Sequence, residues 1–389
     1  MPGTRGLWSG LVLAGTALIG TCYGFARFAY GLFAPQLGEE FALSATLSGI
    51  IGAGSYVGYC TAIGVSAMLT ARLGPRVVVL LAGLFATVGL LVVAVAPSAG
   101  VLAVGVLVAG SSTGLASPPL AAAVARWVRE DVRDTAQTVV NAGTGLGVLV
   151  SGPVALALQQ HWRVAWFLFA VGAALVTVWV VRVVPPATRA PPHDREINGD
   201  PGLRWWPAGA ATLVGASFVL GLASVAFWTF GQELVADSTD SSWLPPLVWT
   251  VTGAAGIAGA FAGPVLSRLG IPNAWTVLMV LLALGSAGLA VGAGVPAVAL
   301  LAGSVFGASY IALTGVLLVW ATRVFGRRPS AGVGLSFFTI AAGQAVGAPL
   351  LGYGSTLTSL STVFLVSALL AAAGALFRAA PSANTAESR

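Results

Sequence analysis

The sequence predicts an all-α membrane protein with twelve transmembrane helices. Of its 389 residues, 57% are hydrophobic and only 8% are charged, and the mean hydropathy is +0.92. Soluble domains instead average about a quarter charged residues. The apolar runs are long and continuous rather than alternating in polarity, which excludes a transmembrane β-barrel.

Arginine, proline and polar clusters divide the chain into twelve segments that each suit a transmembrane helix of about 20 apolar residues. The predicted spans are residues 7–36, 45–70, 76–96, 100–126, 135–158, 162–184, 205–234, 244–267, 274–294, 296–322, 331–354 and 358–379. The first span mimics a signal peptide, but it exceeds the usual apolar region and lacks a clear cleavage site. We therefore expect an uncleaved first helix.

The positions of the arginines predict the orientation in the membrane. All 18 basic residues are arginine, and the loops on the side of the N-terminus contain most of them. The loops on the opposite side contain Arg163 alone. Because cytoplasmic loops carry the excess of positive charge, we expect both termini to be cytoplasmic and the protein to lie in the cytoplasmic (inner) membrane. The same bias explains a pI near 10 without a nucleic-acid partner.

The chain divides into two similar parts. The longest hydrophilic stretch, residues 185–204, is rich in proline and charge, and it predicts a cytoplasmic linker. It separates six spans in residues 1–184 from six spans in residues 205–389. We therefore expect two six-helix bundles.

Local matches between the two parts support an internal repeat. The tripeptide "RLG" at 72–74 recurs at 268–270, and Pro153 recurs as Pro349, both at an offset of 196 residues. "GFARFAYGLFAPQL" from Gly24 aligns with "GLASVAFWTFGQEL" from Gly221 at an offset of 197. Two parallel six-helix repeats resemble the fold of the major facilitator superfamily.

The loop after the second span strengthens this resemblance. "AMLTARLGPR" is similar to the family pattern G-x-x-x-D-R-x-G-R-R, because it keeps Arg72, Gly74 and Arg76. Ala67 and Ala71 replace the first glycine and the aspartate. The resemblance implies a loop that closes the cytoplasmic face, and the missing acid implies gating through another contact. The alternative is that these arginines only anchor the protein to the membrane surface.

Three further motifs fit the same family. "GPVLSRLGIP", after the eighth span, keeps Arg268 and Gly270. In the fifth span, Gly152 and Pro153 resemble the end of a glycine-rich antiporter motif, although Val148 departs from it. A proline and small residues suit helices that rock against their neighbours, and Pro349 repeats the device in the eleventh span. The run "GFARFAY" resembles a bacterial subgroup with Gly-Phe-(Gly/Ala)-Arg-Phe-Ala-Tyr in the first helix.

Arg27 is a charge deep in the first span, where an ionisable side chain costs at least ~2.5–3.5 kcal/mol. Thr16, Gly20, Tyr23, Arg27 and Tyr30 recur at helical spacing, which predicts one polar stripe. The resemblance implies that this helix lines a central cavity. The alternative is that Arg27 extends toward the outer headgroups.

The sequence offers no fixed partner for Arg27. No Asp or Glu lies in the middle of a predicted span, and the repeat places Ser224 opposite Arg27. Glu233 is the nearest helical carboxylate, but it should lie ~13 Å further outward. Because buried charges are usually paired, we expect Arg27 to bind a carboxylate or similar anion of a substrate.

Other candidates for substrate contact are polar or aromatic residues inside the spans. They are Tyr23, Tyr30, Tyr56, Tyr59, Asn141, Trp228, Gln232, Tyr310, Thr314 and Gln344. The alternatives are an interfacial aromatic belt for the rings and helix-to-helix hydrogen bonds for the amides.

We predict a secondary transporter that moves a small, anionic organic solute by alternating access. Proton coupling is the family default, with Glu233 as the candidate, but uniport and anion exchange stay open. The alternatives are efflux of neutral or hydrophobic compounds, or a sensor or membrane-embedded enzyme on the same fold. Cys22 and Cys60 lie in apolar runs, so we expect no metal site and no cofactor. The expected partners are the substrate and the lipid bilayer, and we expect a monomer.

Overall fold

The computed structural model describes residues 4–186, 206–261, 263–326 and 329–378, which are mostly helical and contain no strand. The helices are α1 Thr4–Ile19, the π-helical segment Gly20–Phe28, α2 Ala29–Leu32, α3 Ala34–Glu40, α4 Ala45–Leu73, α5 Pro75–Ala94, α6 Ala99–Trp127, α7 Arg133–Ala157, α8 Trp162–Val183, α9 Ala210–Asp237, α10 Leu244–Ala260, α11 Gly263–Gly292, α12 Pro296–Val324, α13 Pro329–Leu357 and α14 Leu360–Gly374. The predicted linker falls almost entirely outside the described residues, as do Arg327 and Arg328.

The helices form a multi-pass membrane protein. In the described part of the chain, ten helical stretches are long and apolar enough to cross a bilayer, and α10 and α14 are shorter apolar helices. Every predicted span contains one of these helices. Large apolar side chains face outward along the bundle, and Leu13, Leu284 and Leu369 are each more than half exposed. Lipid is the surrounding that such a surface requires.

Local sequence signals explain several helix ends. The Ser44 hydroxyl accepts a hydrogen bond from the backbone N–H of Leu47 at 3.2 Å and caps the start of α4. Gly74 ends α4 with φ of 80°, and Pro75 begins α5. Gly270 has φ of 70° and kinks α11, so both "RLG" tripeptides place glycine in a backbone conformation that other residues avoid. The repeat is thus visible in the backbone.

The first span differs from the regular α-helix that the sequence predicts. Residues Gly20–Phe28 form a π-helix, which is wider than an α-helix and is frequent at functional sites. Gly20 and Gly24 lie directly against the backbone of Gly147 in α7, where no side chain would fit. This close contact lets the widened segment pack inside the bundle.

The helices pack in equivalent pairs in the two parts of the chain. In the first part, α4 packs against α6, α5 against α6 and α8, and α1 against α7. In the second part, α10 packs against α12, α11 against α12 and α14, and α9 against α13. Long contacts between α4 and α13, and between α7 and α10, join the two parts. The centre of the bundle lies between these two contacts.

The two faces of the bundle differ in how closely α4 and α13 approach. We call the face with Thr4 and the turn at Gly74 the amino-terminal face, and the face with residues 41–44 the opposite face. Near the opposite face, Gly49 lies against the backbone of Ala348, with no space for a Cβ atom. Near the amino-terminal face, nothing lies within 4 Å of where a side chain at Gly64 would begin. The backbones of α4 and α13 therefore touch near the opposite face, whereas Gly64 near the amino-terminal face has open space beside it.

Candidate substrate site

Arg27 lies inside the bundle, in the π-helical segment. The residue is only 5% exposed, so its guanidinium does not reach the membrane surface in this structure. The predicted polar stripe is divided between neighbours. Thr16 donates to the Val139 carbonyl of α7 at 3.2 Å, while the Tyr30 hydroxyl bonds to Ser48 of α4 at 3.0 Å. The stripe is therefore not one cavity-facing surface, because the widened helix turns these residues toward different helices.

Four aromatic rings surround the Arg27 guanidinium. Its Cζ atom lies 4.7 Å from the ring centroid of Tyr59, 5.0 Å from Tyr56, 5.2 Å from Phe28 and 5.5 Å from Tyr23. A cation over an aromatic face is stabilised by about 0.5–2 kcal/mol. The rings thus compensate part of the cost of burying the charge, but they supply no negative charge.

The hydrogen-bond partner of Arg27 is a neutral amide from the other part of the chain. Its Nη2 donates to Oε1 of Gln344 in α13. The Nε2 of Gln344 in turn lies 3.5 Å from Ser224 Oγ and 3.5 Å from Tyr310 Oη. The Arg27 Nε–H is buried and has no hydrogen-bond partner in the described part of the chain. Ser224, which the repeat aligns with Arg27, is therefore connected to Arg27 only through Gln344.

No carboxylate within the described ranges forms an ion pair with Arg27. Glu40 instead binds Arg163, with 2.5 Å between the carboxylate and the guanidinium, and accepts a hydrogen bond of 2.6 Å from the Trp162 indole. Partial burial raises the pKa of the Glu40 carboxyl, but these hydrogen bonds and the Arg163 charge outweigh it and hold the pKa below its usual value. This pair lies at the opposite face of the bundle, where Glu40 follows Arg27 by 13 residues.

A small cavity adjoins Arg27. Its volume is about 20 Å³, which accommodates about one water molecule. Its lining residues are Tyr23, Arg27, Phe28, Asn141, Thr144, Tyr310, Ile311, Thr314, Phe337 and Ile340. The Asn141 amide lies 3.5 Å from the Thr314 hydroxyl on the wall. The structure thus places the candidates Tyr23, Asn141, Tyr310 and Thr314 around one cavity with Arg27.

Trp228 lies behind this wall rather than in it. Its ring stacks on Phe28, with 4.1 Å between centroids, and meets Tyr310 edge-on at 5.2 Å. Trp249 packs edge-on against its far side at 5.6 Å. Trp228 is 2% exposed and does not line the cavity. Trp228 instead fixes the ring planes of Phe28 and Tyr310, which line the cavity.

Several predicted residues lie outside the cavity. Tyr56 and Tyr59 contact the guanidinium without lining the cavity, and Tyr30 bonds to Ser48. Gln232 is 1% exposed, and both amide atoms are buried without a partner among the described residues. Glu233 is half-buried next to it and forms no ion pair in the described part of the chain.

The predicted gating residues lie away from the cavity. Arg72 and Arg268 are exposed, Arg76 is half-buried, and no described carboxylate forms an ion pair with any of them. In the described part of the chain, ion pairs of these arginines therefore do not hold the helix ends together at the amino-terminal face.

The glycine and proline candidates behave as the sequence predicts for helix packing. Gly152 lies against Pro246 and Thr250 of α10, and Pro153 follows it inside α7. Pro349 lies inside α13, where it approaches Gly49. These positions are at the contacts that join the two parts of the chain.

Sequence reasoning missed five residues of the cavity wall: Phe28, Thr144, Ile311, Phe337 and Ile340. Helical spacing contained a signal for three of them. Thr144 follows Asn141 by three positions, and Phe337, Ile340 and Gln344 recur at intervals of three and four on one face of α13. Phe28 and Ile311 gave no such signal, because apolar residues in an apolar span are not distinctive.

Membrane-crossing helices around a buried, charged cavity define the architecture of a membrane transporter. The chain matches the Major Facilitator Superfamily over residues 16–348 and belongs to this family.

The proteins similar to this chain include one relative and the two solved structures described next. Over 174 residues it is 28% identical to the human voltage-gated purine nucleotide uniporter SLC17A9, covering 43% of this chain and 40% of that protein. The crystal structure of a POT family transporter in complex with 5-aminolevulinic acid has a TM-score of 0.75 at 13% identity, over 96% of this chain and 95% of that one. A mutant of the nucleoside transporter NupG has a TM-score of 0.74 at 14% identity, over 95% and 98%. These structures share the fold.

Proposed function

We propose that this major facilitator protein is a secondary transporter for a small organic anion, and that Arg27 supplies the binding charge. The main support for the proposal is the burial and the hydrogen bonding of the Arg27 guanidinium. It is buried, it binds only the neutral Gln344 amide, and its Nε–H is unpaired among the described residues. A carboxylate would engage such a guanidinium through two parallel charge-assisted hydrogen bonds.

The unequal surroundings of Gly49 and Gly64 support an alternating-access cycle. We propose that residues 1–184 and 205–389 act as two six-helix bundles, joined by the linker 185–204, that rock about the central cavity. The closed contact of Gly49 with Ala348 and the open surroundings of Gly64 support this motion. If both termini are cytoplasmic, as the arginines predict, the structure is the state that opens toward the cytoplasm.

The cavity in this state is too small for an organic molecule. Room for about one water means that a substrate enters only after the walls move apart. We propose that the anion replaces Gln344 at the guanidinium when the cavity widens. Gln344 then holds the empty site together rather than binding substrate first.

The mode of coupling depends on whether a carboxylate takes part in the cycle. Arginine keeps its proton throughout, so proton coupling would need another group, and Glu233 is the half-buried candidate. Electrogenic uniport of an anion needs no such group. The name of the human relative describes a voltage-gated uniporter of purine nucleotides, which are anions. That likeness favours anion uniport as the first mode to test, with proton coupling through Glu233 as the second.

Counterflow in proteoliposomes tests the proposal. Vesicles with purified protein are loaded with monocarboxylates, dicarboxylates or nucleotides, and entry of the labelled compound is followed with and without a pH gradient. We expect at least one organic anion to be transported, and Arg27→Gln to abolish its transport while the protein stays folded. Arg27→Lys should retain part of it, since the charge remains but the planar fork is lost.

The matched control is Arg129→Gln, which removes one positive charge from an exposed loop residue. Folding of each variant is checked by its elution in detergent and its thermal unfolding. Anion transport that is unchanged in folded Arg27→Gln would refute the role of Arg27. Transport of neutral hydrophobic compounds alone, equal in wild type and Arg27→Gln, would favour the efflux alternative.

A further inference from the structure

The residues that line the cavity indicate which kind of anion would bind beside Arg27. We propose that the substrate is an aromatic monoanion, with one carboxylate on a flat ring that also has a neutral polar group. This inference rests on the proposed function, because it assumes that the cavity beside Arg27 is the substrate site. Three features of the wall carry it: its charge, its rings and its neutral polar side chains.

The charge of the site suits a single negative charge. Arg27 is the only charged side chain among the fully buried residues that the structure describes. One guanidinium can compensate one carboxylate. A second negative charge in the same cavity would lose its hydration without gaining a partner, and burying an unpaired charge is strongly unfavourable. Dicarboxylates and nucleotides are therefore poor matches to this wall.

The rings of the wall suit a flat body. Phe28, Tyr310 and Phe337 line the cavity together with two isoleucines. Trp228 is stacked on Phe28 and packed edge-on against Tyr310, so these two rings cannot turn freely. Phe306 stacks on Tyr310 from another side, with 6.0 Å between centroids. Rings held in fixed planes favour a partner ring that stacks or meets them edge-on.

Part of the wall is polar but uncharged. Asn141, Thr144 and Thr314 line the cavity along with Arg27. The Thr314 hydroxyl donates to the Ile311 carbonyl at 2.7 Å and lies 3.5 Å from the Asn141 amide, so its oxygen can still accept a hydrogen bond and the amide has capacity for a further partner. A hydroxyl or amine on the substrate ring would use that capacity. Binding of both the carboxylate and this neutral group would also orient the molecule.

Counterflow with a matched set of small acids tests the substrate class. The labelled probes are benzoate and para-hydroxybenzoate. Cyclohexanecarboxylate keeps the charge and the ring size but is not flat, acetate keeps only the charge, and phthalate adds a second carboxylate. We expect both aromatic monoanions to be exchanged, with half-saturation at least about tenfold lower than for phthalate or acetate.

A pair of neighbouring residues separates the ring contact from a general effect on folding. Phe337 lines the cavity, whereas the Phe338 side chain is 41% exposed and does not line it. Phe337→Leu should weaken benzoate exchange by about 2- to 12-fold and reduce its advantage over cyclohexanecarboxylate. Phe338→Leu should leave both unchanged.

The outcomes distinguish this inference from the proposed function. Transport that depends on Arg27 but prefers acetate, phthalate or cyclohexanecarboxylate over benzoate would overturn the substrate class and leave the anion transporter standing. Equal effects of Phe337→Leu and Phe338→Leu on benzoate would also overturn it. Failure to transport any anion, or transport indifferent to Arg27, would overturn both proposals together.

Discussion

Replacing Gln344 by glutamate tests how the empty site is held. In the structure, Gln344 gives the Arg27 guanidinium a neutral acceptor. The Gln344→Glu variant would give it a carboxylate of almost the same size. We expect a fixed ion pair that joins α13 to the first span and competes with any anionic substrate. The protein should become more resistant to unfolding and less able to bind anions.

The magnitude follows from the two interactions that the substrate would have to displace. A hydrogen bond between a neutral and a charged group contributes about 1.5–3 kcal/mol. Two unit charges about 4 Å apart interact by about 4 kcal/mol at an effective dielectric constant near 20. The bound anion would also be repelled by the carboxylate of Glu at this position. A net loss of about 2–4 kcal/mol corresponds to roughly 30- to 700-fold weaker binding.

Two assays measure the effect. Thermal unfolding in detergent, with and without substrate, gives the stability of the empty protein and the shift on binding. Counterflow gives the half-saturation concentration. Gln344→Met, which keeps the size but removes the acceptor, is the matched control and should weaken binding far less. Anion affinity within threefold of wild type in a folded Gln344→Glu protein would refute the reasoning, because the site would then not be a single-charge site.

Six other substitutions, at five positions, have definite expected outcomes. Gly49→Val should hold the opposite face open, and Gly64→Val should hold the amino-terminal face open. The labelling of single cysteines placed near the two faces should therefore change in opposite directions in the two variants. A general loss of structure would instead increase labelling at both faces. Tyr59→Phe should leave transport intact, because the Tyr59 hydroxyl is buried and unpaired among the described residues. Tyr59→Leu should reduce transport, because it removes the cation–π contact with Arg27, which contributes about 0.5–2 kcal/mol. Gln232→Leu should stabilise this closed state by about 1–3 kcal/mol and slow exchange; a destabilised protein would contradict the absence of a partner for that amide. Glu40→Gln should lower stability by at most about 1 kcal/mol at neutral pH, since its side chain is 41% exposed. Because the folded pKa of Glu40 is depressed, its contribution is present above the unfolded pKa and is lost as the pH falls through the lower folded pKa, so wild type and variant should converge only below the folded pKa.

The sequence predicted the fold well because the bilayer limits the possible structures. A chain without water to satisfy its backbone must form helices, and their length is set by the membrane thickness. The span boundaries were therefore close: the predicted span 135–158 is α7 Arg133–Ala157, and 296–322 is contained in α12 Pro296–Val324. The exceptions are the short helices α10 and α14. The orientation, the division into two bundles and the bacterial subgroup stay predictions.

The candidate site was predictable only at residues whose side chains are energetically costly to bury in a membrane. A buried arginine among apolar residues stands out, and a mid-span glutamine stands out less. The sequence placed Arg27 and Gln344 in the site but gave no reason to join them, because they are far apart along the chain. It also assigned Trp228 to substrate contact, since an aromatic ring facing the cavity and one behind it look the same in sequence. The π-helix was not predictable, because it depends on contacts of Gly20 and Gly24 with another helix.

The repeat explains why the charge network crosses between the two parts of the chain. At an offset of 197, Arg27 corresponds to Ser224, and at 196, Gln344 corresponds to Val148. The first part thus contributes a cation and an apolar residue, and the second contributes a hydroxyl and an amide. The hydrogen bonds run from Arg27 to Gln344 and from Gln344 to Ser224, so they connect unlike members of the two equivalent sets. A symmetric site would leave two like charges facing each other, or none. The asymmetry instead leaves one charge that is bridged across the two parts by a displaceable neutral group, and an anion that takes the place of that group would loosen the link as it binds.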